Sequence, residues 1–209
     1  MGDEELPKVR LVALDEILPS GTTLEADGAT ISLGGQRLTH EVFKKIYSGI
    51  SDKDLEHFSP PTSEELEVRR KMGHTYFAIL DDGRKEIVGA TRAAFRDIPK
   101  KGIMMRIFYP PYKGLIGRTF ILQKFRRQNY GQASKAVIEK MAKEKGIKTL
   151  RAVVEMKNKN SIGALKKSGF KLAFWRSVWL QPDNLHFEPK KTLSGNPHLV
   201  FHKNLRRRK

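Results

Sequence analysis

The chain predicts a mixed α/β fold with a central, mostly antiparallel sheet and helices on both faces. Two observations predict it. First, residues 75–95 read as a β-hairpin, because two apolar runs flank the turn Asp81-Asp82-Gly83. Second, a strand–helix–strand–helix–strand order follows this hairpin, which is typical of a sheet covered on both faces. The 209 residues are enough for one core and a small appendage.

Residues 1–73 predict a strand, a small hairpin and two helices, which are either part of the fold or appended to it. The strand is Val9–Leu14, and the hairpin covers Thr22–Leu33. One helix is predicted after Thr39, where apolar residues recur at helical spacing. A second helix is predicted over Thr62–Met72, with hydroxyl residues as its cap and acids in its first turn.

Residues 74–205 predict the main fold, and residues 206–209 form a basic tail. The segment 97–117 contains three prolines and three glycines, which predicts an irregular excursion with one strand at Met104–Phe108. The other predicted elements are strands at Arg118–Lys124, Thr149–Glu155, Phe170–Leu180 and His198–His202, and helices at Gly131–Lys145 and Ser161–Lys167. The crossover from 118 to 155 predicts a right-handed parallel unit.

Charge is divided unevenly along the chain. Residues 1–60 carry a net charge of −5 and residues 100–209 a net charge of +22. A basic half favours polyanionic partners such as nucleic acid, a ribosomal surface or a phosphate-rich cofactor, although a solvated lysine-rich surface gives the same total. The absence of cysteine excludes disulfides, thiol nucleophiles and thiolate metal ligands, and we predict no metal site.

The first residues are acidic and lack an apolar stretch, so we expect no signal peptide. No apolar run approaches the roughly 20 residues that span a bilayer. We therefore expect a cytoplasmic protein without membrane contact, either a monomer or a homodimer.

The most informative segment is the polar turn before the helix at 131–145. It reads Gln128-Asn129-Tyr130-Gly131-Gln132-Ala133 and follows an apolar run. Because a helix N-terminus leaves main-chain N–H groups unpaired, a strand, a polar turn with one glycine and a helix predict an anion cradle.

This turn resembles the (Arg/Gln)-x-x-Gly-x-(Gly/Ala) loop of the GNAT superfamily of N-acetyltransferases. Further along, Asn158 and Ser161, followed by Gly169-Phe170, resemble the second signature of that family. Serine in place of the more usual alanine resembles the ribosomal-protein N-terminal acetyltransferase branch. The resemblance covers about residues 74–205 and includes the final strand.

The resemblance implies an N-acetyltransferase that moves an acetyl group from acetyl-coenzyme A to a primary amine by direct attack in a ternary complex. The acceptor is a protein N-terminus, a lysine or an RNA-associated amine, with RNA, the ribosome or an acidic protein as predicted contacts. One alternative is a catalytically weak domain that binds nucleic acid or a partner protein through its basic half. Another is a small-molecule amine acetyltransferase.

The resemblance also implies which residues bind the cofactor. They are Leu122, Gln123, Lys124, Gln128, Asn129, Tyr130, Gly131, Gln132, Ala133, Ser134, Asn158 and Ser161. The main chain of the 128–133 turn holds the pyrophosphate. The pantetheine arm lies between splayed strands and is bonded by the Gln123 main chain and by Asn158, which is also suited to cap a helix. Lys124, Arg126 and Arg127 either meet the 3′-phosphate or are exposed charges.

For the chemistry, the family implies an oxyanion held by a main-chain N–H near Leu122. The tyrosine that many members use as acid is replaced here by Leu165. The predicted catalytic residues are Glu155, as base, and Ser161, which either faces the sulfur or packs where alanine would. Glu155 is otherwise a surface carboxylate paired with Lys157 or Lys159.

His74 and Asp97 are weaker candidates for the base. The aromatic and basic segment 108–113 lines the acceptor mouth, stacks on nucleic acid, or forms a satellite hydrophobic cluster. Trp175 and Trp179 are predicted to be core residues. The tail Arg206–Lys209 is either solvated or contacts RNA or an acidic protein.

Overall fold

The computed structural model describes residues 5–26, 28–48, 61–71, 73–95, 113–173 and 198–205. Nine strands and four helices lie in these ranges. The strands are β1 (Val9–Ala13), β2 (Thr23–Ala26), β3 (Ala29–Ser32), β4 (His74–Asp81), β5 (Glu86–Phe95), β6 (Lys113–Ile121), β7 (Thr149–Glu155), β8 (Lys171–Leu172) and β9 (His198–Asn204). The helices are α1 (His40–Ser48), α2 (Ser63–Lys71), α3 (Tyr130–Glu144) and α4 (Lys159–Lys167), and one 3-10 turn covers Gln123–Phe125.

The contacts divide the chain into two compact units. The first contains residues 1–93 and 118–138, and the second contains residues 94–117 and 139–209. Both β6 and α3 therefore contribute residues to each unit. Whether residues 1–73 are an appended part stays a prediction.

In the first unit the strand order is β1-β4-β5-β6. β1 pairs antiparallel with β4, from Val9 opposite Asp81 to Ala13 opposite Phe77. β2 and β3 form the predicted hairpin, and Thr23 of β2 also pairs in parallel register with Glu86 of β5. The predicted mixed, mostly antiparallel sheet is confirmed.

The core of the first unit lies against β4 and β5. Both strands are buried along nearly their whole length, because apolar residues cover both of their faces. Helix α1 buries three apolar side chains, Phe43, Ile46 and Tyr47. The Phe43 ring lies edge-on to Tyr76 of β4 with the ring centroids 5.8 Å apart. Aromatic packing of this kind fixes α1 on the sheet.

In the second unit the strand order is β6-β7-β9-β8. β6 and β7 pair in parallel from Lys113 opposite Thr149 to Ile116 opposite Ala152, which confirms the predicted parallel pair. β7 pairs with β9 over its whole length, up to Glu155 opposite His198. The last three residues of β7 thus remain paired on the β9 side after the ladder to β6 has ended.

The bounds of β6 correct the sequence prediction of a strand at 118–124. β6 begins at Lys113 and ends at Ile121. Gly114 indicates a loop in the sequence, but it is a close-packed strand position, since a Cβ there would lie 2.7 Å from Leu150 Cδ2. Arg118 has a φ of 50°, a left-handed residue inside a strand, as found in β-bulges.

Several predicted features lie outside the described residues: the strand at Met104–Phe108, Asp97, the aromatic segment up to Tyr112, Trp175, Trp179 and the tail Arg206–Lys209. Of the strand predicted at 170–180, Lys171–Leu172 is the described strand. A search of the described helices found no segment with the length and apolar content required to cross a membrane.

Candidate functional site

The turn that precedes α3, here called the α3 turn (residues 126–131), has an unusual backbone. Arg127 and Asn129 are both left-handed, with φ values of 63° and 62°. Residues other than glycine seldom adopt this conformation, and such residues cluster at functional sites. Alternation of handedness also turns successive N–H groups toward one side, as in the backbone concavities that bind anions.

The main-chain donors of the α3 turn are only partly available. The N–H groups of Gln132 and Ala133 both donate to the Asn129 carbonyl, at 2.9 and 3.0 Å. These two groups close the first turn of the helix, and their predicted phosphate contacts stay predictions. By contrast, the N–H groups of Gln128, Tyr130 and Gly131 have no acceptor in the described part of the chain.

Ser134 also departs from the predicted cofactor set. Its side chain is fully buried, and its hydroxyl donates to the Gly131 carbonyl at 3.2 Å. A buried hydroxyl that bonds its own helix cannot reach a ligand at the helix N-terminus.

Gly131 has open space at the position where a Cβ atom would lie. A Cβ built there would find only Ile121 Cγ1, at 3.9 Å, and Gly131 has no positive φ. Neither packing nor backbone conformation therefore demands glycine at this residue. Unpaired N–H groups beside an open Cβ position fit a diphosphate that approaches the main chain closely.

Tyr130 anchors the α3 turn on the first unit. Its buried hydroxyl donates to Asp81 Oδ2 at 2.5 Å, while Asp81 Oδ1 accepts the N–H groups of Gly83 and Arg84 at 2.9 and 3.0 Å. Burial, followed by the hydrogen bond to Asp81, raises the pKa of Tyr130 to about 12. The sequence pattern identifies Asp81 only as a turn residue and gives no sign of this contact.

Lys124, predicted either to meet the 3′-phosphate or to be an exposed charge, pairs with two carboxylates, and its phosphate contact stays a prediction. Its ammonium bonds both Glu25 and Glu86, across the end of the first unit's sheet. Burial tends to lower the pKa of Lys124, but the hydrogen bonds that its ammonium donates to Glu25 and Glu86 raise the pKa overall. Arg126 Nε donates to the Ile121 carbonyl at 3.2 Å. Arg127 is exposed and has no ion pair among the described residues.

The oxyanion donor that the resemblance implies is a main-chain N–H near Leu122. The Leu122 N–H donates to the Val88 carbonyl of β5 at 2.9 Å and is therefore already paired. The next N–H, that of Gln123, begins the 3-10 turn and has no acceptor among the described residues, while the Gln123 carbonyl accepts from Arg126 N–H.

In the second unit, Asn158 caps α4. Its Oδ1 accepts the N–H of Ser161 at 2.9 Å, and its Nδ2 has no partner among the described residues. Ser161 is half-buried in the first turn of α4. Leu165, at the position of the usual tyrosine, is 6% exposed and packs as a core residue.

Glu155 ends β7 and is half-buried. Its carbonyl accepts the Asn158 N–H at 3.0 Å, so the end of β7 and the cap of α4 are tied together. His74 is buried at the start of β4, at 6% exposure.

Comparisons with known proteins identify the family. A sequence model described as the acetyltransferase (GNAT) family matches residues 41–170. No protein of curated function matches the chain in sequence.

Three solved structures illustrate the likeness of fold. A protein from Vibrio cholerae, provisionally named a ribosomal-protein-serine acetyltransferase, is 15% identical, with a TM-score of 0.55 over 92% of this chain and 99% of that one. A GNAT-family protein from Desulfovibrio desulfuricans is 11% identical, with a TM-score of 0.53 over 95% and 100%. A third, from Salmonella typhimurium and solved with its cofactor acetyl-coenzyme A, is 14% identical, with a TM-score of 0.50 over 81% and 89%.

Proposed function

Because the chain belongs to the acetyltransferase (GNAT) family and uses acetyl-coenzyme A as its co-substrate, we propose that the α3 turn binds the diphosphate of that cofactor. The observation that carries the proposal is Gly131, which the protein itself does not require, next to N–H groups that have no acceptor in the described residues. The N–H groups of Gln128, Tyr130 and Gly131 donate to phosphate oxygens. The positive end of the α3 dipole adds to the attraction.

One further group is assigned to the pantetheine arm. Gln123 N–H, in the first unit, is a donor without a partner among the described residues. A pantetheine amide carbonyl is the acceptor that such a donor suits. Ser161 is assigned to packing at the start of α4.

Acetyl transfer to a primary amine by direct attack requires removal of an amine proton and delivery of a proton to the leaving thiolate. Glu155 is the base of the proposal, acting directly or through water. Leu165 has no ionisable group, so the thiolate takes its proton from solvent. Positioning of the two substrates then supplies much of the rate enhancement.

The proposed acceptor is a primary amine on a protein N-terminus, a lysine or an RNA-associated molecule. The support is the charge of residues 100–209, a net +22, which attracts polyanions and acidic proteins. The same charge and Leu165 favour the second candidate, a domain of this fold that binds nucleic acid or protein and transfers acetyl groups weakly. Acetyl-coenzyme A turnover with an amine separates the two.

The test substitutes Gly131 by alanine and uses Gly163→Ala as the matched control. Gly163 also lies in a helix, and a Cβ there meets nothing within 4 Å. Both variants should be as stable as the parent or more so, by up to about 1 kcal/mol. Only G131A should weaken the binding of acetyl-coenzyme A, measured by calorimetry and by the ligand-dependent rise in Tm. Equal affinity in the two variants would contradict the assignment of the diphosphate to this turn.

A further inference from the structure

Three arginines of the first unit lie close together, and two of them share one carboxylate. Arg69 of α2 donates from Nε to Glu65 Oε1 at 2.7 Å, and Arg118 Nη2 of β6 lies 3.1 Å from the same oxygen. Arg92 of β5 has no carboxylate partner among the described residues, and its guanidinium carbon lies 5.9 Å from the centre of the Tyr76 ring. We call Arg69, Arg92, Arg118 and Tyr76 the arginine cluster.

The polar groups of the arginine cluster are buried and under-satisfied. Arg69 and Arg92 are 8% and 7% exposed, and Tyr76 is 3% exposed. Buried atoms without a hydrogen-bond partner in the described part of the chain are Arg69 Nη1, Arg92 Nε and Nη1, Arg118 Nη1 and the Tyr76 hydroxyl. Buried polar groups are nearly always paired in native proteins, so a set of this size in one place indicates a ligand. Every one of these groups can donate a hydrogen bond, and the arginine nitrogens can only donate.

Charge points to the same kind of ligand. Glu65 is the one carboxylate that pairs with the cluster among the described residues, through Arg69 and Arg118, and two of the three positive charges therefore remain uncompensated within the cluster. Burial lowers the pKa of Arg92, Tyr76 raises it, and the charges of Arg69 and Arg118 lower it further. Uncompensated buried charge is costly, and well-packed apolar residues of similar size would cost less. An anion with several acceptor oxygens would satisfy both the charge and the donors.

We propose that the arginine cluster binds an oxyanion, a carboxylate or a phosphate, and that the acceptor amine carries this group. Arg118 lies on β6, the strand that leads into Gln123 and the α3 turn within the first unit, so the cluster shares an element with the proposed cofactor site. The left-handed backbone of Arg118 interrupts β6 at this point. The inference rests on the proposed acetyl transfer and narrows its acceptor from any primary amine to one with an anionic group.

The first experiment measures thermal unfolding of the full chain in sodium phosphate and in sodium succinate, each against sodium chloride at equal ionic strength. The variants are Arg92→Met and, as the matched control, Arg70→Met. Arg70 lies on α2 next to Arg69, is largely exposed, and pairs with Asp15 at 2.9 Å. The Tm of the parent and of R70M should rise with either phosphate or succinate as mass action requires. In R92M the half-saturating concentration should be at least about tenfold higher.

The stability of R92M in chloride, without phosphate or succinate, separates a binding role of Arg92 from a structural role. If Arg92 exists to bind an anion, R92M should unfold at a higher temperature than the parent in chloride, because one repulsive buried charge is gone. A lower Tm in chloride, or an undiminished response to phosphate, would overturn the proposal. If R92M does not fold, Tyr76→Phe removes one donor without a change of charge and should still weaken phosphate, whereas unchanged binding would count against the site.

The second experiment identifies the source of the oxyanion. The phosphate titration is repeated with saturating acetyl-coenzyme A and with saturating acetyl-dephospho-coenzyme A. A phosphate response that persists with both supports an acceptor site. If acetyl-coenzyme A abolishes the response and the dephospho form does not, the cluster binds the cofactor's 3′-phosphate and the acceptor assignment fails.

The third experiment compares acetylation of dipeptides with a free C-terminal carboxylate and of the same dipeptides with a C-terminal amide. The carboxylate form should have a kcat/KM at least about tenfold higher in the parent, and R92M should lose this preference. Equal rates for both forms would overturn the inference and leave the acetyltransferase assignment intact. If neither form is acetylated while phosphate still stabilises the protein, the anion site stands and its assignment to an acceptor amine falls.

Discussion

Replacing Tyr130 by phenylalanine removes the hydroxyl that donates to Asp81 and keeps the ring. Tyr130 and Asp81 are 3% and 8% exposed, so water does not replace the lost bond. A hydrogen bond to a charged acceptor contributes about 1.5–3 kcal/mol. The rise of the Tyr130 pKa from 10.0 to about 12 corresponds to about 2.7 kcal/mol. Since burial is the larger cause of that rise, we expect Y130F to lower the free energy of unfolding by about 1.5–2 kcal/mol at pH 7.

The matched control is Tyr76→Phe. Tyr76 is as buried as Tyr130, at 3% exposure, but its hydroxyl has no partner among the described residues. Y76F should therefore be neutral or slightly stabilising in urea titrations at pH 7. An equal loss of stability in the two variants would show that ring packing, not the bond to Asp81, sets the effect.

The pH dependence tests whether the acceptor is ionised. Burial acts to raise the Asp81 pKa, but the hydrogen bonds from Tyr130 and from the N–H groups of Arg84 and Gly83 lower it overall. A lowered native pKa stabilises the fold above the unfolded value of about 3.9, and the gain is lost as pH falls through the native pKa.

The raised Tyr130 pKa has the opposite sign of pH dependence. Its stabilisation is complete below the unfolded value of about 10 and is lost as pH rises toward the native value. The difference between parent and Y130F should therefore be constant between about pH 5 and 9 and shrink on either side of this range. A difference that does not change from pH 7 to pH 3 would refute the ionised Asp81 acceptor.

Three further outcomes follow from the structure. Lys124→Met should lower the free energy of unfolding by at most about 1 kcal/mol, and added salt should reduce this loss. In calorimetry, the variant should bind acetyl-coenzyme A and its dephospho form with the same affinity ratio as the parent. A reduced ratio would indicate that Lys124 contacts the 3′-phosphate. Gly89→Ala places a Cβ 2.2 Å from the Phe120 carbonyl oxygen. Because the clash is with backbone, thermal unfolding should show a loss of stability above about 3 kcal/mol. A smaller loss would mean that the backbone of β6 can shift at Phe120. Asn158→Ala should lose about 1 kcal/mol of cap stability in thermal unfolding, whereas Asn158→Asp keeps an acceptor oxygen and should retain the cap. An equal loss in the two variants would contradict the capping role.

Local patterns in the sequence predict the elements whose causes are local. The hairpin β4–β5, the strand β7 and the helix α3 follow from apolar periodicity and turn residues within each segment. Asn158 as a cap also follows from its own neighbours, since the acceptor and donor are three residues apart. The start of β6 does not, because Gly114 is required by side chains from other segments, which no window of sequence contains.

The donors that remain available in the α3 turn could not be predicted from the sequence for a related reason. A six-residue pattern predicts that a helix begins after the turn, and it does, at Tyr130. It does not predict which N–H groups the first turn of the helix uses, because this depends on the left-handed residues Arg127 and Asn129. Lys124 pairs with Glu25, a residue far from it along the chain, and a local sequence pattern cannot predict this contact.

The arginine cluster is the feature that is hardest to predict from the sequence, because three distant segments contribute one charge each. In the sequence, Arg69, Arg92 and Arg118 are counted as ordinary surface cations within a net charge of +17. The fold buries two of them and leaves donors of all three without acceptors among the described residues. The total charge therefore says little about what the protein binds. The few charges that the fold removes from water are the ones that can select an acceptor, because only there does a missing anion carry a large free-energy penalty.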